Sequence, residues 1–114
     1  MPNRLFCWIT IFLFGAAPTE TGVTQTPRYL VTRMKQEVTL RCEQNLGHDH
    51  MYWYQQKSHK GPKLMFYFSY GKINLNDSVP NRFDPISSGN GHLTLNIHTV
   101  EAEDSAIYFC STNI

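Results

Sequence analysis

A few residue groups in this 114-residue chain have types and spacings that could do chemistry. His48-Asp49-His50 puts two imidazoles and a carboxylate within one short segment. A zinc site needs three or four ligands, the rest supplied from elsewhere. His59, His92 and His98 fall in separate turns or strands, and no pattern brings them to His48. No metal or other cofactor is therefore expected. Ser105 beside Asp104 reads as a turn feature without a histidine partner for nucleophilic catalysis. The short "SSGNG" lacks the strand and long helix that make a phosphate cradle. No catalytic residue is assigned, and the chain does not read as an enzyme. Two groups remain. Asn76-Asp77-Ser78 is an N-glycosylation sequon in a loop-like stretch ending at Pro80. Cys42 and Cys110 are the cysteines outside the N-terminal segment.

That segment decides the compartment. "MPNRLFCWITIFLFGAAP" carries Arg4, an apolar run from Leu5 to Phe14, and then Gly15, Ala16 and Ala17. This is the layout of a secretory signal peptide over residues 1–17, with the cut between Ala17 and Gly22. The run is too short to span a bilayer, which needs about 20 apolar residues. Residues 18–114 then form one small domain, and Cys42 pairs with Cys110 in an oxidising compartment. Closing so long a loop is worth about 4 kcal/mol, comparable to the net stability of such a domain. Lys and Arg total 10 against 9 Asp and Glu. With no basic stripe, nucleic acid is not an expected partner.

The elements that position these residues are short alternating segments between turn signals. "EVTLRC" puts Val38, Leu40 and Cys42 on one face, and "HLTLNI" does the same for Leu93, Leu95 and Ile97. "MYWYQQ", "KLMFYF" and "AIYFC" complete the set, with at most one helical turn at "VEAEDS". The fold class is all-β: an antiparallel sandwich of two sheets. Trp53 lies eleven residues after Cys42, and Tyr108 two before Cys110. That spacing suits a buried indole against an inter-sheet disulfide and a tyrosine corner. Cys42, Cys110, Trp53, Tyr108, Leu40 and Leu95 form the expected core.

On "GVTQTPRYLV", "VTLRCEQNLGHDHMYWYQQ", "GPKLMFYF", "SVPNRF" and "VEAEDSAIYFC", the chain resembles the V-type immunoglobulin domains of T-cell receptor β-chain variable segments. An antibody light-chain variable segment shares "SVPNRF" and "YWYQQK", but "GVTQTPRYLV" is not typical of it. A stand-alone V-type adhesion or coreceptor domain is the other alternative, and it would carry its own complete sheet. The resemblance implies a salt bridge between Arg82 and Asp104 at the bottom of the sandwich. It also implies pairing with an α-chain variable domain through the sheet bearing "MYWYQQ". Gln56 would lie at the pseudo-twofold axis, with Pro62, Leu64, Phe109 and Tyr54 around it. "KLMFYF" is apolar on both faces, as a strand covered on both sides would be.

Recognition by such domains falls to loops at one end of the sandwich. The first here is Leu46, Gly47, His48, Asp49 and His50; the second is Ser69, Tyr70, Gly71, Lys72, Ile73 and Asn74. Both suit a polar, adaptable surface with one aromatic anchor. The implied ligand is a peptide displayed by a histocompatibility molecule. The third loop would begin at Ser111, Thr112 and Asn113. Similar segments carry Ala-Ser-Ser after the cysteine and glycine where this chain has Lys35. A last strand opened by Phe-Gly-x-Gly is not present after Cys110, so the Cys110 strand is expected to be an open edge, as in a germline segment before joining. The expected destination is the cell surface, anchored only through a constant region absent from this chain, with signalling subunits reached through the full-length receptor.

Overall fold

The computed structural model describes residues 6–13, 22–26 and 29–113. In chain order the strands are β1 Phe6–Leu13, β2 Val23–Thr26, β3 Tyr29–Arg33, β4 Val38–Gln44, β5 His50–Gln56, β6 Lys63–Ser69, β7 Lys72–Leu75, β8 Phe83–Gly89, β9 His92–Ile97 and β10 Ala106–Asn113. A 3-10 turn, Ala102–Asp104, sits where one helical turn was expected. One sheet has the order β3-β1-β10-β5-β6-β7, and the other β2-β4-β9-β8. Every neighbouring pair is antiparallel except β1 with β10.

Alternation drives the layering. In β4, Val38, Leu40, Cys42 and Gln44 are buried while Arg41 and Glu43 face solvent. Leu93, Leu95 and Ile97 of β9 pair directly with Cys42, Leu40 and Val38, so one apolar face continues across both strands. Trp53 and Tyr108 fill the centre against the Cys42–Cys110 disulfide, which ties β4 of one sheet to β10 of the other. Each such fully buried side chain contributes about 1.5–3 kcal/mol of transfer free energy. The Trp53 indole N–H donates to Leu93 O at 2.8 Å, so its polar atom is satisfied at depth.

With the leader segment in place, the outer edge of β10 is occupied: β1 pairs along it in parallel, Ile9 with Ala106 through Leu13 with Cys110, and bridges on to β3. The open edge expected for residues 18–114 concerns the chain without β1. An eight-residue segment rich in β-branched and aromatic residues satisfies the backbone groups that the strand would otherwise expose. The leader's cleavage region, residues 17–21, lies outside the described residues. The apolar run of β6 also has a local cause. The β5–β6 register shifts between Trp53 and Tyr54, where Trp53 faces Phe66 but Tyr54 faces Leu64. The extra residue is Met65, and this bulge lets Met65 and Phe66, neighbours in sequence, both be buried.

Candidate recognition end and partner face

The strand register gathers three segments at one end of the six-stranded sheet. His50, the first residue of β5, pairs with Asn113 of β10 on one side and with Ser69 of β6 on the other. The first candidate loop thus emerges between the end of β10 and the tip of the β6–β7 hairpin. Leu46, Gly47, His48 and Asp49 lie in that loop, and His50 already belongs to β5.

The second candidate segment is a tight hairpin, where a loop was expected. Ser69 pairs with Lys72, Phe68 with Ile73 and Tyr67 with Asn74. Only Tyr70 and Gly71 form the turn, both at positive φ, 52° and 77°. Two consecutive left-handed residues match a two-residue hairpin whose twist follows the strands. Tyr70 at the tip is 86% exposed. Residues 111–113 are corrected likewise: they continue β10, paired with Tyr52, Met51 and His50. Strand β5 runs far enough to hold them in the ladder.

Side chains cross-link these pieces. His48 Nδ1 lies 2.7 Å from Thr112 Oγ1, and the His50 and Tyr70 rings meet edge to face at 5.2 Å. Tyr52 donates its hydroxyl to Asn113 Oδ1 at 3.0 Å. Beneath the first loop, the buried Gln44 amide donates to His48 O at 2.8 Å and accepts from the N–H groups of Leu46 and His48. One side chain therefore satisfies three backbone groups of the loop. The β8–β9 turn, Asn90-Gly91, closes the same end, with Gln44 N–H donating to Gly91 O at 2.9 Å. A Cβ at Gly91 would lie 2.2 Å from Gln44 O, so this approach requires glycine. A cavity of 710 Å³ opens between the first loop, the hairpin tip and this turn, with His48, Asp49, Tyr70, Asn90 and His92 around it and Met51 and Phe68 in its wall. Gln44 and the β8–β9 turn also belong to this end, though neither was among the loop residues expected from sequence. Gln44 continues the buried alternation of Val38, Leu40 and Cys42, the one signal that could have marked it.

The outer face of the six-stranded sheet carries an aromatic ladder. Tyr54 stacks on Phe109 at 5.1 Å, Tyr52 lies 6.4 Å from Tyr54, and Tyr52 stacks on Tyr67 at 5.8 Å. Phe109 is 6% exposed yet stands apart from the inter-sheet core cluster. Leu64 is half-buried, Pro62 is exposed, and the Gln56 amide donates to Lys60 O at 2.9 Å. Tyr52 and Tyr67 extend the face beyond the residues singled out from sequence.

Below, Arg82 and Asp104 form a two-pronged pair, Nη2 to Oδ1 at 2.6 Å and Nε to Oδ2 at 3.1 Å. Asp104 is 2% exposed and also accepts from the Glu101 N–H at 2.9 Å. The hydrogen bonds that Arg82 donates to Asp104, opposed by burial, raise its guanidinium above the ordinary value. Tyr108 donates its hydroxyl to Asp104 O at 2.6 Å, the tyrosine corner. Buried Gln25 bridges the sheets: its amide donates to Tyr108 O at 2.8 Å and accepts from Cys110 N–H at 3.1 Å.

Among the described residues no three His, Cys, Asp or Glu side chains come together as a metal site. His48 is committed to Thr112 and His50 to Tyr70. The arrangement is a braced, polar and aromatic end on a rigid sandwich.

The model of the immunoglobulin V-set domain matches residues 25–114. The chain belongs to the immunoglobulin V-set family. Within it, the chain is similar to T-cell receptor beta variable segments. It is 48% identical to human T cell receptor beta variable 3-1 over 113 residues, covering 99% of each chain. Human T cell receptor beta variable 4-3 is 49% identical over the same share of both chains. The mouse T-cell receptor beta chain V region 86T1 is 41% identical, covering 99% of this chain and 84% of its own length.

Proposed function

We infer that this V-set domain contributes to recognition of a peptide displayed by a histocompatibility molecule, as part of a beta chain paired with an alpha-chain variable domain. The observation that supports this best is the convergence at His50, where the first loop, the Tyr70 hairpin tip and the end of β10 meet. The braces from Gln44, His48 and Tyr52 hold that end before any ligand arrives, which lowers the ordering cost of binding. The work of the domain in this reading is recognition and not catalysis.

The aromatic ladder of Tyr54, Phe109, Tyr52 and Tyr67 is the face offered to the alpha-chain domain, with Gln56, Pro62 and Leu64 at its margin. Tyrosine and phenylalanine supply large contact area at small entropic cost. Residues 1–17 act as a leader removed during export to the cell surface. Among the described residues no helix is long and apolar enough to cross a membrane. Anchoring and contact with the signalling subunits belong to the full-length chain.

The test uses the complete receptor on T cells. Phe109→Asp should abolish surface display with the alpha chain. Alanine at His48, Asp49 or Tyr70 should lower staining by the matched peptide–histocompatibility multimer at constant receptor level. Staining that follows receptor level alone in every variant would overturn the reading.

A further inference from the structure

We propose that Asn76 carries an N-linked glycan that covers the free edge of β7 and keeps two copies of the domain from pairing there. Among the described residues β7 is the outermost strand of its sheet, and all four of its residues are exposed. Ile73 is 37% exposed and Leu75 48%. An exposed strand edge bearing apolar side chains is a template for strand addition from another chain. Charge blunts such edges, and β7 has one charged residue, Lys72, at the hairpin end. The far end, at Leu75, has none.

Asn76 follows Leu75 directly and opens the sequon Asn76-Asp77-Ser78, all of it exposed. Its backbone N–H donates to Met65 O at 2.9 Å, which fixes it to the end of β6. Its side-chain Oδ1 accepts from Ser78 N–H and from the Ser78 hydroxyl, each at 3.0 Å. Hydrogen bonds to that oxygen fix the amide plane and leave the nitrogen facing β6. Nδ2 donates one of its two hydrogens to Leu64 O at 3.1 Å. Glycan transfer needs only the other. A bond forms between Nδ2 and C1 of the first sugar, the C1–O bond to a lipid-diphosphate donor breaks, the diphosphate leaves with the electron pair, and one Nδ2 proton passes to a base. The remaining N–H keeps its bond to Leu64 O, so the modified side chain fits the fold unchanged.

The first sugar then lies beside a shallow groove of 320 Å³ lined by Leu64, Phe66, Tyr67, Asn74 and Leu75. In the sheet order, β6 and β5 separate this edge from β10. The glycan therefore sits to the side of the Tyr54–Phe109 stack and leaves that stack uncovered, bordering the pairing face only at Leu64 and Tyr67.

The experiment uses the complete soluble alpha–beta receptor from mammalian cells. Trypsin releases residues 73–82, between Lys72 and Arg82, in which Asn76 is the sole sequon asparagine. Glycosidase treatment in heavy-oxygen water should convert Asn76 to labelled aspartate and leave Asn74 and Asn81 unlabelled. Sedimentation should show Asn76→Gln and Ser78→Ala receptors self-associating at concentrations about tenfold lower than wild type. Adding Leu75→Lys to either variant should restore wild-type behaviour. An unmodified Asn76 would overturn the proposal. So would a modified Asn76 whose loss in both variants leaves sedimentation unchanged.

Discussion

His48 Nδ1 stands 2.7 Å from Thr112 Oγ1, joining the loop after β4 to the last turn of the ladder in β10, 64 residues later. Through that contact two segments far apart in sequence share one surface, and the position of the first loop depends on where β10 continues. Thr112→Val keeps the shape and removes the acceptor and donor. It should cost about 0.5–1.5 kcal/mol and raise amide exchange in the first loop while leaving β9 protected. Equal protection in the loop of both proteins would show that the contact does not hold it.

The Arg82–Asp104 pair is a second place where one residue carries several others. Asp104 is buried and organises the Glu101 N–H as well as the guanidinium. Asp104→Ala should cost about 1–3 kcal/mol, since it removes the two-pronged partner of Arg82 and the acceptor of the Glu101 N–H, while Glu103, 3.2 Å from Arg82, keeps the guanidinium from being left unpaired. Arg82→Lys should recover only part of the pair, because an ammonium cannot match both carboxylate oxygens. The raised proton affinity of Arg82 sets the sign of its pH dependence. Its contribution is fully present below the ordinary guanidinium value and is lost only as pH rises past the raised one. Titration of Arg82 should therefore remove no stability up to about pH 10.

Gln25 makes a prediction that no hydrophobic pattern would suggest. Its amide pairs with Tyr108 O and Cys110 N–H much as a neighbouring strand would. Gln25→Leu matches the size, buries more apolar surface and loses both bonds. The unpaired groups should dominate, with a net loss of about 1–3 kcal/mol in denaturant titration. A neutral or stabilising result would show that the bridge is dispensable.

Lys35 sits at φ 71° in the turn before β4, its N–H on Val100 O and its ammonium 2.9 Å from Glu101. The exposed ion pair contributes little, and the left-handed backbone decides the ranking. Lys35→Gly should be at least as stable as wild type. Lys35→Val should fall about 1–2 kcal/mol below the glycine variant, because a β-branched residue resists positive φ. Thermal unfolding of the three proteins gives the order directly.

The framework was legible because its signals are covalent or periodic. Cys42, Trp53, Tyr108 and Cys110 announce themselves by type and spacing, and strand alternation places Leu40 and Leu95 between the sheets. The Arg82–Asp104 pair was reachable through family resemblance alone. Gln25 and Gln44 were not legible, since an amide that serves distant backbone looks the same in sequence as one that faces water. The hidden bulge at Met65 made "KLMFYF" look covered on both sides, when a register shift accounts for part of that pattern. Residues 111–113 read as loop because nothing in "CSTNI" tells how far β5 extends beside it. The parallel seating of β1 against β10 follows from an unsatisfied edge and an available apolar segment, which local sequence does not reveal.

The central claim is that the end bearing Tyr70, His48 and Thr112 makes contact with ligand. The most direct test is the Kd of the soluble receptor for its matched peptide–histocompatibility complex, compared between Tyr70→Ala and Ser58→Ala, a control in the β5–β6 turn at the opposite end of β5. The account predicts weakening of about tenfold or more for Tyr70→Ala, a loss of at least about 1.4 kcal/mol, with the Ser58 variant unchanged. Equal affinity for Tyr70→Ala and wild type, or a larger loss at Ser58, would contradict it.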